Sequence, residues 1–202
     1  MTRKILLATI LGGLAMYAWV ALAHMVLPLG EAGIREIPNE AAVLSTLTSN
    51  LGSARGLYLY PGMGLPPNAT SDQKKAATAA YPQKLASMPV GVLMYNPAGS
   101  VSYGPGLFLT EFGVELLNVF LAVVLLAQAR PTSYAKRVLF VAAIGLIAAL
   151  ATNMSYWDWY GFPTSYTAAY ITTQFVGFVC AGLVAAAFIK EGGATVARAA
   201  AA

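Results

Sequence analysis

Four apolar stretches, each long enough to cross a bilayer, leave this chain few folds to choose from. They run from Ile5 to Leu27, Leu107 to Ala127, Val138 to Tyr156 and Ala168 to Ile189. A helix rises about 1.5 Å per residue, so the first extends about 34 Å, more than the roughly 30 Å of bilayer hydrocarbon. In hydrocarbon every backbone N–H and C=O must be satisfied within the protein, which makes each stretch a helix. Each starts or stops at a charge, a Pro/Gly cluster or an aromatic cluster, as at headgroup level. Composition agrees: 58% of the 202 residues are hydrophobic and 10% charged, against about 25% charged in a soluble domain. The expected fold is mainly α, a polytopic four-transmembrane-helix bundle with a small α+β extracytoplasmic cap between helices 1 and 2. Residues 1–27 form the first helix as a signal anchor, 28–106 the cap, 107–190 a three-helix region and 191–202 a cytoplasmic tail.

Orientation follows from the basic residues. Arg3, Lys4, Arg130, Lys136, Arg137, Lys190 and Arg198 flank one side, on the termini and one short loop. Arg35, Arg55, Lys74, Lys75 and Lys84 are spread through the long loop, which counts for less. Both termini and residues 130–137 are therefore expected in the cytoplasm, with 28–106 and 157–167 outside. The formal charge of +4 sits at these membrane ends. No basic run with interleaved aromatics occurs, so no nucleic-acid partner is expected. A signal peptide is the rival reading of the first stretch, with Arg3 and Lys4 as its charged start and Ala21-Leu22-Ala23 as its cut. The run is long for that purpose and carries Tyr17 and Trp19 near the cut. Cys180, the single cysteine, has no partner for an internal disulfide and reads as a small apolar residue.

Within the cap, Asn39 is placed to start a short helix and Leu57–Tyr60 reads as a strand. Residues 62–70 are a Gly/Pro loop. Ser71 or Asp72 would cap a polar helix through Ala80, before Pro82 interrupts. Val90–Tyr95 is a second strand, closed by Asn96-Pro97. Two strands alone are marginal, so they need helices or the bundle mouth beneath them.

The polar residues inside the spans carry the functional question. Glu111, Glu115 and Asn118 fall at steps of four and three on one helix face. Glu115 lies about 12 Å inside the outer boundary, a depth at which a carboxylate is costly and normally faces the bundle interior. Gln174, Asn153 and His24 sit in the outer parts of the other spans, and Asp158 lies in the aromatic loop Trp157–Pro163 that closes the same side. The functional reading is an outward-facing polar cavity built from His24, Glu111, Glu115, Asn118, Asn153, Asp158 and Gln174. The plain alternative is that these groups satisfy one another beneath the cap. A metal on His24, Glu111 and Glu115 has the ligand types but not the Glu-x-x-His pairs of carboxylate-bridged bundles. A haem on His24 has no other support, and a proton-linked Glu115 lacks a partner route through the apolar inner half. No cofactor can be assigned. Most of the aromatics from Tyr156 to Tyr170 read as an interfacial belt. Gly12-Gly13, Gly145/Ala149, Gly177 and Ala181/Ala185 suit close helix contact, within the bundle or with a partner chain.

Trp19-x4-His24 with Pro28-Leu29, Glu36-x-Pro38-x-Glu40, Gly56-Leu57-Tyr58 with Pro61, and above all Tyr156-Trp157-Asp158-Trp159-Tyr160-Gly161-Phe162-Pro163 resemble a group of uncharacterised bacterial four-helix membrane proteins. The resemblance covers most of the chain and implies the bacterial inner membrane; it carries no activity, cofactor or catalytic residue. No nucleotide loop, nucleophile elbow or HExxH motif is present. The leading expectation is a non-enzymatic accessory or assembly subunit, surrounded by lipid and paired with a membrane protein or a second copy. The alternatives are small-molecule or ion binding or proton transfer in the outer cavity, and a metal-dependent membrane enzyme.

Overall fold

The computed structural model of the chain describes residues 2–190. The expected tail, 191–202, with Arg198, lies outside the described residues. Eight elements follow in order: α1 (Thr2–Met25), α2 (Glu40–Leu51), β1 (Gly56–Tyr60), α3 (Ser71–Ser87), β2 (Gly91–Tyr95), α4 (Pro105–Ala129), α5 (Tyr134–Tyr160) and α6 (Thr164–Phe188). α1, α4, α5 and α6 are each long and apolar enough to cross a membrane. The chain is a polytopic membrane protein. Its described residues divide into two compact units, Glu36–Ser102 and the helical part up to Arg35 and from Tyr103 onward.

In the helical unit α1 and α6 are central. α1 packs on α4 and α6, α6 packs on α1 and α5, and α4 meets α6 only sparsely. Ala8, Val119, Leu126, Val141, Phe178 and Ala185 belong to one buried cluster. The start of α1, the end of α4, the start of α5 and the end of α6 therefore lie together, flanked by Arg3, Lys4, Arg130, Lys136, Arg137 and Lys190. Glycines let the helices close at this core. Gly12 lies against Val119 and Ala181, Gly13 against Leu116, Gly145 against Phe178, and Gly177 against Met16 and Trp19. Ala149, Ala181 and Ala185 are fully buried. The small-residue faces, ambiguous by spacing alone, are spent inside the bundle.

Arg137, one of the basic residues at this end of the bundle, also has a packing role. It is buried, and its guanidinium donates from Nε to the Ala186 carbonyl (3.2 Å) and from Nη1 to the Pro131 carbonyl (3.4 Å). Ala186 is in the last turn of α6, where carbonyls lack helical partners and a cation is favourable. Arg137→Met should destabilise the bundle by about 1–3 kcal/mol, because a buried carbonyl loses its donor. Arg137→Lys should recover only part of that. Thermal unfolding in detergent checks the order; equal melting of all three proteins would exclude a stabilising role for these two hydrogen bonds.

Two helix ends differ from the sequence reading. α5 runs through Trp157, Asp158 and Trp159 to Tyr160, so only 161–163 form the turn that was expected to begin at Trp157. Gly161 ends the helix in the left-handed region at φ 67, its N–H donating to the Tyr156 carbonyl. α3 starts from Thr70 rather than Ser71 or Asp72: the Thr70 hydroxyl and the Gln73 side chain form a reciprocal capping box. It also continues past Pro82 to Ser87. Tyr81 and Lys84, on either side of that proline, donate to the carbonyls of Pro61 and Gly62, contacts that hold the turn against its missing N–H.

In the Glu36–Ser102 unit, β1 and β2 pair antiparallel with Leu57 opposite Met94 and Leu59 opposite Val92. Asn39 occupies the N-cap of α2 but in the left-handed region and without a side-chain capping bond. Tyr95 is the buried anchor, its hydroxyl donating to the Gly52 carbonyl at 2.9 Å.

Candidate functional site

At the end of the bundle away from the basic residues, α4 and α6 diverge and both lean on α1. The space they leave is a cavity of about 540 Å³ lined by all three helices. Of the candidates, His24 comes from α1, Glu111 and Glu115 from α4, and Gln174 from α6. Asn118 sits one turn deeper and reaches the site through Glu115, donating from Nδ2 to Oε2 at 3.4 Å. Glu115 is 7% exposed.

Asn153 and Asp158 do not join this site. Asn153 is buried on α5 and donates to the Ala149 carbonyl of its own helix at 2.9 Å. A short polar side chain mid-helix often satisfies itself this way. Asp158 is exposed near the end of α5, and neither residue lines the cavity. The reason is the helix they stand on: α5 packs mainly on α6 and contributes no residue to the cavity lining.

The rest of the lining was not anticipated. Tyr17, Val20 and Ala21 precede His24 on α1, Leu107, Phe108 and Thr110 precede Glu111 on α4, and Tyr170 and Thr173 precede Gln174 on α6. Most of these stand three, four or seven residues from the polar group. That helical spacing was the available signal. Trp19 Nε1 donates to the Thr173 carbonyl at 2.9 Å and ties α1 to α6 beside the cavity. Tyr166 and Tyr170 stack with centroids 4.4 Å apart, and Tyr170 meets His24 edge-on at 5.9 Å. Part of the expected interfacial belt is thus a row of rings leading to the site.

The polar atoms at the site are mainly acceptors. His24 Nδ1 lies 3.0 Å from the Val20 carbonyl, to which it can only donate, so in the neutral ring Nε2 is an acceptor. The Thr110 hydroxyl spends its proton on the Gly106 carbonyl. Gln174 Oε1 is buried and has no hydrogen-bond partner among the described residues. No Lys or Arg lines the cavity. His24, Glu111 and Glu115 do not make a metal-ligating group: among the described residues no three His, Cys, Asp or Glu side chains come together as one.

Comparison with protein-family models, with characterised proteins and with solved structures returned no match.

Proposed function

We propose that the chain is a non-enzymatic membrane protein that binds a small molecule in the cavity between α1, α4 and α6. The observation that carries this reading is a buried carboxylate, Glu115, in a cavity that His24, Glu111 and Gln174 also line. A carboxylate at this depth in the membrane is costly, a cost that a ligand donor offsets. Gentle purification from native membranes, followed by extraction and mass spectrometry, should yield one small molecule near stoichiometry. Ala21→Trp, which fills the cavity from α1, should abolish its retention. A stoichiometric protein with no retained small molecule would overturn this reading.

That second outcome is what an accessory or assembly subunit predicts. Its support is in the Glu36–Ser102 unit, where Leu57, Leu59 and Met94 make an exposed apolar sheet face around Val92. Contiguous apolar surface of this kind favours a protein or membrane contact. The small-residue helix faces no longer add to that argument, because they are buried within the bundle.

The proposed setting is a bacterial inner membrane with cytoplasmic termini and the cavity opening outside, as the basic residues at one end of the bundle favour. Reporter fusions at Ser71 and Ser133 should then lie on opposite sides, outside and inside respectively. Both reporters on one side, or the reverse assignment, would refute the topology.

A further inference from the structure

A second groove adjoins the cavity. It holds about 640 Å³ between α1 and α4 and is lined by Leu14, Leu109, Phe112 and other apolar residues. Tyr17, Tyr103 and Phe108 line both spaces, so the two adjoin. Leu14 and Leu109 are exposed in the apolar part of their helices, where the surrounding medium is lipid. The combined space has a polar, acceptor-rich inner part and an apolar side branch facing the bilayer.

We infer that the ligand is an amphiphilic amine, with its head among His24, Glu111 and Glu115 and its chain in the side groove between α1 and α4. The inference rests on the cavity-binding reading above and adds the chemical class. An ammonium offers three donors and no acceptor, matching a site of two carboxylates and the free Nε2 of His24. Tyr17, Phe108 and Tyr170 line the same space, so aromatic rings stand beside the cationic head. A phosphate-bearing head would meet two carboxylates and no Lys or Arg. A metal ion would lack a third anionic or imidazole ligand in place. A short amine would satisfy the head but leave the apolar branch unused, and each buried CH₂ contributes about 0.8 kcal/mol in a lipid-like setting.

The test uses the full chain in nanodiscs of phosphatidylcholine with radiolabelled oleylamine. Binding should saturate at about one molecule per chain. Unlabelled oleylamine should displace it, oleyl alcohol about tenfold or more weakly, and butylamine more weakly still. Glu115→Gln should reduce affinity about tenfold with its melting temperature kept, and Glu111→Gln should act in the same direction. Equal displacement by oleyl alcohol would overturn the cationic head. Equal displacement by butylamine would overturn the side groove. If oleylamine does not saturate at all, the amine class is wrong. The cavity reading then stands or falls separately, on whether Ala21→Trp strips a different molecule from the natively purified protein.

Discussion

Gly145→Val should unfold the bundle at a much lower temperature than the wild type. A Cβ at position 145 would overlap Cβ and Cγ of Phe178. Those atoms are the root of the Phe178 side chain and cannot swing aside. Phe178 is 4% exposed and belongs to the main core, so the ring has little room to retreat. The relief left is separation of α5 from α6, the most extensive helix pair in the molecule. Overpacking commonly costs about 1–3 kcal/mol, and here the upper end or more is expected, because a helix pair and not one rotamer must yield. Gly113→Ala is the control. Nothing lies within 4 Å of a Cβ there, so it should leave stability unchanged or slightly raised. Gly145→Ala and Phe178→Gly should be coupled: the double variant should lose less stability than the sum of the two single losses, because glycine removes the Cβ at 178 that meets the new one. Melting followed by circular dichroism in detergent reads all of these. If Gly145→Val melts like Gly113→Ala, the α5–α6 contact does not pass through this position.

The four spans were legible because lipid imposes a single rule on every residue within them: long, apolar and hydrogen-bonded internally. Their ends were less so. The aromatic segment before α6 looked like a loop because Trp, Tyr and Asp are ordinary at an interface. Only Gly161, with its left-handed φ, marks where the helix stops. Pro82 looked like a helix stop because its local cost is certain, whereas the compensating contacts of Tyr81 and Lys84 come from twenty residues away or more.

Glu115 and Gln174 could be found from the sequence because a polar group deep in an apolar run stands out by its cost. Tyr17, Val20 and Phe108 could not stand out, since an apolar lining residue has the same composition as a lipid-facing one. Asn153 shows the converse. Its depth carried no sign that α5 lies off the cavity, and its amide is satisfied within α5. Which helices meet also needed the fold: Gly177 reads as a contact residue in the sequence, but that Met16 and Trp19 fill its space does not.

Gln174→Leu should raise the stability of the ligand-free protein and abolish ligand retention. Leucine is close in volume and removes an acceptor that is buried without a partner, a cost of about 1–3 kcal/mol. Stability and binding therefore move in opposite directions, the signature of a group kept for function at the expense of the fold. Glu115 should behave differently because it has a neighbour to lose. An acid at a helix centre costs about 2.5–3.5 kcal/mol on an insertion scale, less near the interface. Glu115→Leu escapes that cost but leaves the Asn118 amide without its acceptor, so its net gain should be smaller. Glu115→Gln keeps an acceptor for Asn118 and should melt close to wild type while binding weakly, because the carboxylate charge is gone. Melting temperature and retained ligand, measured on the same preparations, place each variant. If Gln174→Leu and Glu115→Gln both lose stability and retain ligand, the two side chains serve the fold, and the cavity is not a binding site.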